Sequence, residues 1–295
     1  MSTDSDRSRA LGIVLIVAST VFFALAGIFT SLARSDPLTI AGWRGLVGAF
    51  LITLYVVWRA RRDGARPVFR LGWRGWLLSL VGAVSSVFFI ASFKFTYVAN
   101  VAVIYATVPF MAAAIEWPLL GEPPRARTMA TAFASLLGVA IIMSGGVAAG
   151  HLFGDLLALL MTVGCAVYLV MIRAFRDTPV VWAAAVSALM VFATSFVVAD
   201  PLAVAPSDLA VIGAFGVSFA AAVILWTEGA MRLPAAEAGL LGAAEVPLAV
   251  AFAWLILGQS TPAASLLGGA VVLAAVLAHA GSDLAALTRR RVPAT

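Results

Sequence analysis

Between two long apolar runs the chain reads Arg34-Ser35-Asp36-Pro37, and 142 residues later, between two others, Arg176-Asp177-Thr178-Pro179. The arginine and the proline coincide while the residues between them stay polar. The same offset relates Gly12 to Gly154, Thr20 to Thr162 and Ala24 to Ala166. Farther on, Trp117, Leu120 and Gly121 match Trp254, Leu257 and Gly258 at 137, and Ser135-Leu136-Leu137-Gly138 matches Ser265-Leu266-Leu267-Gly268 at 130. Alanine and leucine coincide by chance in such a chain; arginine, proline and tryptophan do not. An offset that shrinks in one direction is what loop deletions leave behind in a duplicated sequence. Residues 1–150 are therefore expected to form one structural repeat and residues 151–295 a second, together making one transmembrane domain.

Composition says what kind of unit is repeated. The chain has 295 residues, 63% hydrophobic and 11% charged, with a mean hydropathy of +1.06. Soluble domains run near half apolar and a quarter charged, and disordered chains are poor in apolar residues, so both classes are excluded. A helix needs about 20 apolar residues to cross the hydrocarbon core. Ten segments approach that length: 10–33, 38–58, 75–97, 99–120, 127–147, 152–175, 179–199, 208–231, 235–258 and 262–286. Polar or helix-breaking residues separate them, among them Ser35-Asp36-Pro37, Gly121-Glu122-Pro123-Pro124 and Asp200-Pro201. The first segment is too long for a signal peptide and has no small-residue cleavage site close behind it, so it reads as a retained helix. The expected fold is all-α and polytopic.

With ten crossings and a cytoplasmic N-terminus, one side of the membrane receives Arg7, Arg9, Arg59, Arg61, Arg62, Arg66, Arg70, Arg74, Arg125, Arg127, Arg173, Arg176, Arg232, Arg289, Arg290 and Arg291. Those are sixteen of the nineteen basic residues; Arg34 falls outside, while Arg44 and Lys94 fall within helices. The outside loops carry Asp36, Asp200 and Asp208 instead. This is the positive-inside bias, and an error of one helix would scramble it. Both termini are thus expected in the cytoplasm, and the net charge of +5 records topology, not a nucleic-acid partner. Five helices per repeat is an odd number, so the second copy enters the membrane from the opposite side. Inverted repeats build two half-sites about an axis in the membrane plane, an arrangement suited to alternating access. Duplication can also be merely an economical way to build a bundle.

At the repeat boundaries the chain reads Phe93-Lys94-Phe95-Thr96-Tyr97-Val98-Ala99-Asn100, then Pro109, then Trp117 to Glu122; later Trp226 to Ala230, Arg232-Leu233-Pro234-Ala235-Ala236-Glu237, Glu245-Val246-Pro247 and Trp254 to Gly258. Together with Trp43-Arg44 and Gly154-Asp155-Leu156-Leu157-Ala158-Leu159, this order and doubled spacing resemble the EamA family of the drug/metabolite transporter superfamily, most closely its amino-acid and metabolite exporters. The resemblance covers residues 10–286. It implies a ten-helix inverted-repeat carrier that moves small metabolites, often amino acids, outward across a bacterial cytoplasmic (inner) membrane. Gln259 departs from the family, which often has glutamate after that glycine; the first repeat keeps it, as Glu122.

Several chemistries are missing. No G-x-x-x-x-G-K-[ST] loop or Gly-x-Ser-x-Gly elbow occurs. His151 and His279 have no partner at metal-ligand spacing, and the single cysteine, Cys165, allows neither an internal disulfide nor a Cys-based metal cluster. No cofactor, metal or catalytic residue is expected. Pro109 and Pro247 fall near mid-bilayer in the fourth and ninth segments, and each frees the carbonyl four residues earlier, at Tyr105 and Ala243. Such breaks are tolerated where backbone meets protein or a polar cavity, so the pair marks either a central site or two packing kinks. Glu245 stands two residues before Pro247, where a carboxylate is costly. It can receive a substrate ammonium, carry a proton, or sit protonated against the broken helix. Glu237, Leu241 and Glu245 drift only about 40° per step, a path from the surface to the centre.

Lys94 can attract a substrate carboxylate, pair with an acid, or snorkel to the interface; Arg44 poses the same choice. Asn100, Tyr105, Phe89, Thr20, Trp182 and Trp226 complete the candidate substrate-binding set, though each also suits helix packing. Glu228 and Arg232 form an i, i+4 pair at the cytoplasmic end, structural or gating. The function these features favour is secondary export of small zwitterionic metabolites, amino acids above all, by alternating access, with protons a candidate second partner and a monomer or a dimer as the working unit. The competing readings are a lipophilic-cation or drug exporter and, from another class, a membrane enzyme or a sensor without transport.

Overall fold

Lipid offers no water to backbone amides, so an apolar run must close its own hydrogen bonds as helix. A computed structural model of the chain describes residues 2–64, 69–120, 126–175, 177–200, 202, 204, 206–233, 241–242, 244–275 and 278, and no strand occurs among them. The elements are α1 (Ser2–Ala24), α2 (Ala26–Leu32), α3 (Pro37–Arg62), α4 (Gly72–Phe95), α5 (Val98–Tyr105), α6 (Val108–Leu120), α7 (Ala126–Ala149), α8 (Leu152–Ala174), α9 (Val180–Val198), α10 (Pro206–Ala230) and α11 (Glu245–Leu257), then α12 (Ala263–Ala275).

Seven stretches among the described residues are long and apolar enough to cross a membrane: Arg7–Leu32, Pro37–Arg62, Gly72–Phe95, Val98–Pro118, Leu152–Ile172, Val180–Val198 and Pro206–Ala230. The segments expected at 127–147, 235–258 and 262–286 are represented by the shorter apolar helices Met129–Gly145, Glu245–Leu257 and Ala263–Ala275. Phe50, Phe133, Val197 and Trp254 stand outward and exposed, the inverse of a soluble surface and the pattern lipid requires. The expected first segment pauses at Leu25, and the expected fourth is two helices parted at Ala106-Thr107.

Local signals set the helix ends. Asp36 caps α3 through its side chain, accepting from the amides of Leu38 (3.0 Å) and Thr39 (2.9 Å), with Pro37 at the first helical position. Gly258 closes α11 at φ +64°, and the amide of Gln259 then returns to the Ala253 carbonyl at 3.2 Å. A side chain at that φ would be strained.

Packing repeats across the halves as the duplication requires. α1 lies along α10 as α4 lies along α8, α10 meets α3 as α4 meets α9, and α3 packs on α9 between them. Small residues permit the close approaches. Gly12 faces Arg232 and Leu233 just past α10, and its repeat mate Gly154 faces Phe95 and Thr96 at the end of α4. Gly138 and Gly268, also mates, meet each other where α7 crosses α12; a Cβ on Gly138 would fall 2.7 Å from the Gly268 carbonyl oxygen. The main core runs through Ile40, Ile90, Ile104, Val139, Met161, Phe215 and Val246.

Candidate functional site

The two interrupted helices share a Val-Pro pair behind a differing residue, Thr107-Val108-Pro109 and Glu245-Val246-Pro247. A proline lacks the amide that would bond the fourth carbonyl before it. In the first repeat α5 accordingly stops at Tyr105, and the amides of Phe110 and Met111 turn to the Thr107 carbonyl (3.0 and 3.1 Å). Thr107 is buried and donates its hydroxyl to the Ile104 carbonyl at 2.7 Å. In the second repeat Ala244 is a turn and α11 starts at Glu245. Glu237 and Ala243, the other members of the expected path and break, lie outside the described residues, as do Glu122 and Pro234.

α5 packs against both α11 and α8, so the breaks meet. Glu245 is half-buried, at the start of the helix that packs on α5. Phe89, Tyr105 and Cys165 share the central core with Val246. Trp226 of α10 belongs instead to a neighbouring cluster with Ile16, Leu233 and Leu241, packed edge-on to Phe23 with ring centroids 6.5 Å apart and lying against Gly242. Phe89 and Trp226 are themselves 137 residues apart, one aromatic from each repeat. Glu245, Tyr105 and Phe89 are the candidate residues brought to the central core, with Trp226 in the cluster beside it.

The other candidates lie elsewhere. Thr20 is fully buried and donates to its own helix, to the Val17 carbonyl at 2.8 Å. Trp182 donates its indole N–H to the Phe69 carbonyl (3.0 Å) and packs on the Phe69 ring, beside the basic segment that precedes α4. Lys94 donates to the carbonyl of Ala33, the residue capping α2; an ammonium there complements the helix dipole.

Asn100 belongs to a buried network that sequence reasoning did not find. Asp155, in the first turn of α8, is fully buried; its Oδ1 accepts from Thr96 at 2.6 Å and from the Asn100 amide at 3.0 Å. Ser265 of α12 donates to the Asn100 side-chain oxygen, while Asp155 Oδ2 has no partner. Asp208, in the first turn of α10, does similar work, accepting from the amides of Arg34 (2.9 Å) and Ser35 (2.8 Å) and from the Ser35 hydroxyl (2.7 Å). It is a buried tie between the α2–α3 loop and α10, not the solvated loop charge expected.

At the basic end the Glu228–Arg232 pair is present at 2.7 Å, and α3 completes it: Arg59 and the Tyr55 hydroxyl both bind the other Glu228 oxygen. A cleft of about 430 Å3 opens beside this cluster, lined by Leu11, Leu15, Trp58 and Arg62 among others. Tyr55 and Arg59 carried no signal of their own, because their partner lies 173 and 169 residues away.

A lipid-facing helical bundle, built twice over with a broken helix in each copy, defines a membrane transporter assembled from internal repeats. The chain belongs to the EamA-like transporter family, whose model matches residues 10–144 and again residues 152–279. Members of this family are membrane transporters of the drug/metabolite superfamily. A crystal structure described only as that of a protein superposes with a TM-score of 0.67 at 19% identity, covering 96% of this chain and 100% of its own; that likeness extends to the fold. No curated protein matches the chain.

Proposed function

We propose that the protein is a ten-crossing secondary carrier, with both termini in the cytoplasm of a bacterium, that exports small zwitterionic metabolites, amino acids first among them, by alternating access. The supporting observation is the meeting of the two helix breaks around one half-buried carboxylate. Glu245 receives the substrate ammonium there, while Tyr105, Phe89 and Trp226 supply flat apolar walls that admit side chains of several kinds. The Glu228, Arg59, Arg232 and Tyr55 cluster holds α3 against α10 and serves as the cytoplasmic closure, which must part when the cavity faces inward. Exchange between the two packings of the duplicated halves then carries the cavity from one side to the other.

The test is flux. Purified protein is reconstituted in liposomes loaded with labelled neutral and aromatic amino acids, and efflux is followed against protein-free vesicles. Saturable efflux of at least one is expected; none for any would overturn the reading. A carboxylate walled by aromatic rings also suits a lipophilic organic cation. Saturable flux of such a cation with none of the amino acids would assign that substrate class instead.

A further inference from the structure

Arg44 is the charged side chain that the fold does not explain. It sits two turns into α3, about 10 Å along the helix from the end tied down by Asp208 at 1.5 Å per residue, and only 3% of it is exposed. Its Nη2 donates to the Ser86 hydroxyl of α4. Its guanidinium carbon stands 4.4 Å from the ring centroid of Phe219 and 5.1 Å from that of Phe215, both on α10. Its Nε is buried without an acceptor, and among the described residues no carboxylate pairs with it. Asp63 and Glu228 are engaged by Arg59 and Arg232, and Asp36, Asp155 and Asp208 by the caps and networks described above.

Burial excludes snorkelling, and among the described residues no acid forms an ion pair with Arg44. A buried charge without a counter-ion is strongly unfavourable, and two aromatic faces with one hydroxyl offset only part of that cost. A guanidinium offers five N–H donors in a planar fork that matches a carboxylate in two-point fashion, and Ser86, which accepts from Arg44, still has its own proton to donate.

We propose that Arg44, with Ser86 and the rings of Phe215 and Phe219, is the receptor for the substrate carboxylate, a station on the outward route beyond Glu245. This rests on the exporter reading and sharpens it: the cargo must carry an anionic carboxyl group as well as an ammonium. Access to Arg44 requires α3 and α10 to separate, and the cytoplasmic closure joins those same two helices. Both charges, Glu245 and Arg44, would then be met in turn by one zwitterion.

The experiment uses the full chain in proteoliposomes and two probes, labelled phenylalanine and its carboxamide, phenylalaninamide. In the wild-type protein the acid is expected to be taken with the lower KM. Arg44→Met is expected to raise KM for phenylalanine about tenfold or more, the loss of one charge-assisted hydrogen-bonded pair, while KM for the amide changes less than twofold. Arg44→Lys keeps the charge and loses the fork; it guards against a misfolded Arg44→Met protein and should show the same split at reduced size. Variants that change acid and amide equally, or change neither, would overturn the role of Arg44 while leaving the exporter reading intact. Absence of flux for both probes through the wild-type protein would remove the two together.

Discussion

Asp155→Ala tests whether the buried network at the start of α8 holds the fold. The carboxylate accepts two hydrogen bonds at 2.6 and 3.0 Å with no exposure to solvent. Hydrogen bonds to a charged group contribute about 1.5–3 kcal/mol each. Removing the acceptor strands the Thr96 hydroxyl and one Asn100 donor, so the expected loss is about 3–5 kcal/mol. At about 2–4 °C per kcal/mol for a chain of this size, the melting midpoint in detergent should fall by about 10 °C. Tryptophan fluorescence can follow the transition, since the chain has eight tryptophans. Asp155→Asn separates geometry from charge. Its carbonyl oxygen still accepts from Thr96 and Asn100, but its amide nitrogen falls where Oδ2 has no partner, for an expected cost of about 1–2 kcal/mol. The order is therefore wild type, then Asn, then Ala. An alanine variant within about 3 °C of wild type, or an asparagine variant less stable than the alanine one, would refute the reasoning.

Three further perturbations test other parts of the molecule. Glu245→Gln keeps the size of the side chain and removes its charge, and amino-acid efflux from proteoliposomes should fall at least tenfold, the effect of about 1.4 kcal/mol; wild-type rates with an unchanged pH profile would end the ligand and proton roles together. Gly138→Val places a side chain 2.7 Å from the Gly268 carbonyl oxygen and should destabilise by about 1–3 kcal/mol through overpacking, read as a lowered melting midpoint; a midpoint at or above wild type would show that α7 and α12 do not cross there. Glu228→Gln combined with Arg59→Gln should show a coupling of about 0.5–1 kcal/mol in a double-mutant cycle, modest because the Arg59 side chain is 38% exposed; strict additivity would mean that the contact contributes nothing to closure.

What could be read in advance follows from the range of each interaction. Lipid as solvent, helical class and duplication are written in composition and in spaced pairs such as Arg34/Arg176 and Trp117/Trp254, and the family is legible from the same residues. The proline positions announced the helix breaks, because a missing amide is a local fact. The i, i+4 partners Glu228 and Arg232 were legible, but the partners of polar side chains far apart in the chain were not. Asn100 looked available as a ligand contact until Asp155 was placed beside it from 55 residues away and Ser265 from 165. Lys94 had three readings in sequence, and only the proximity of the Ala33 carbonyl, 61 residues distant, selects among its contacts. Asp208 illustrates the same limit: a loop aspartate by position, it is buried because two backbone amides 174 and 173 residues earlier turn toward it.

The duplicated scaffold also says where to look for chemistry, since a pseudo-symmetric pair contributes to function where its members differ. Gly12 and Gly154, or Gly138 and Gly268, are kept alike because two helix crossings need the same absence of a side chain. Thr107 and Glu245 occupy the same place relative to their prolines and are not alike. Thr107 turns its hydroxyl back onto the Ile104 carbonyl and so closes its own break, whereas Glu245 leaves a carboxylate half-buried at the other. Arg44 has Gly42 and Gly45 close by, both packed against α9, so its helix is fixed while its side chain points toward α4 and α10, with no acid to meet it among the described residues. Among the described residues, Arg44 from the first repeat and Glu245 from the second are thus groups of opposite sign outside the hydrogen-bonded networks that hold Asp155 and Asp208. A bundle duplicated only for economy would have no use for either charge, and each would lower stability in lipid. On the exporter reading proposed above, a cargo carrying both complementary charges would account for their joint presence.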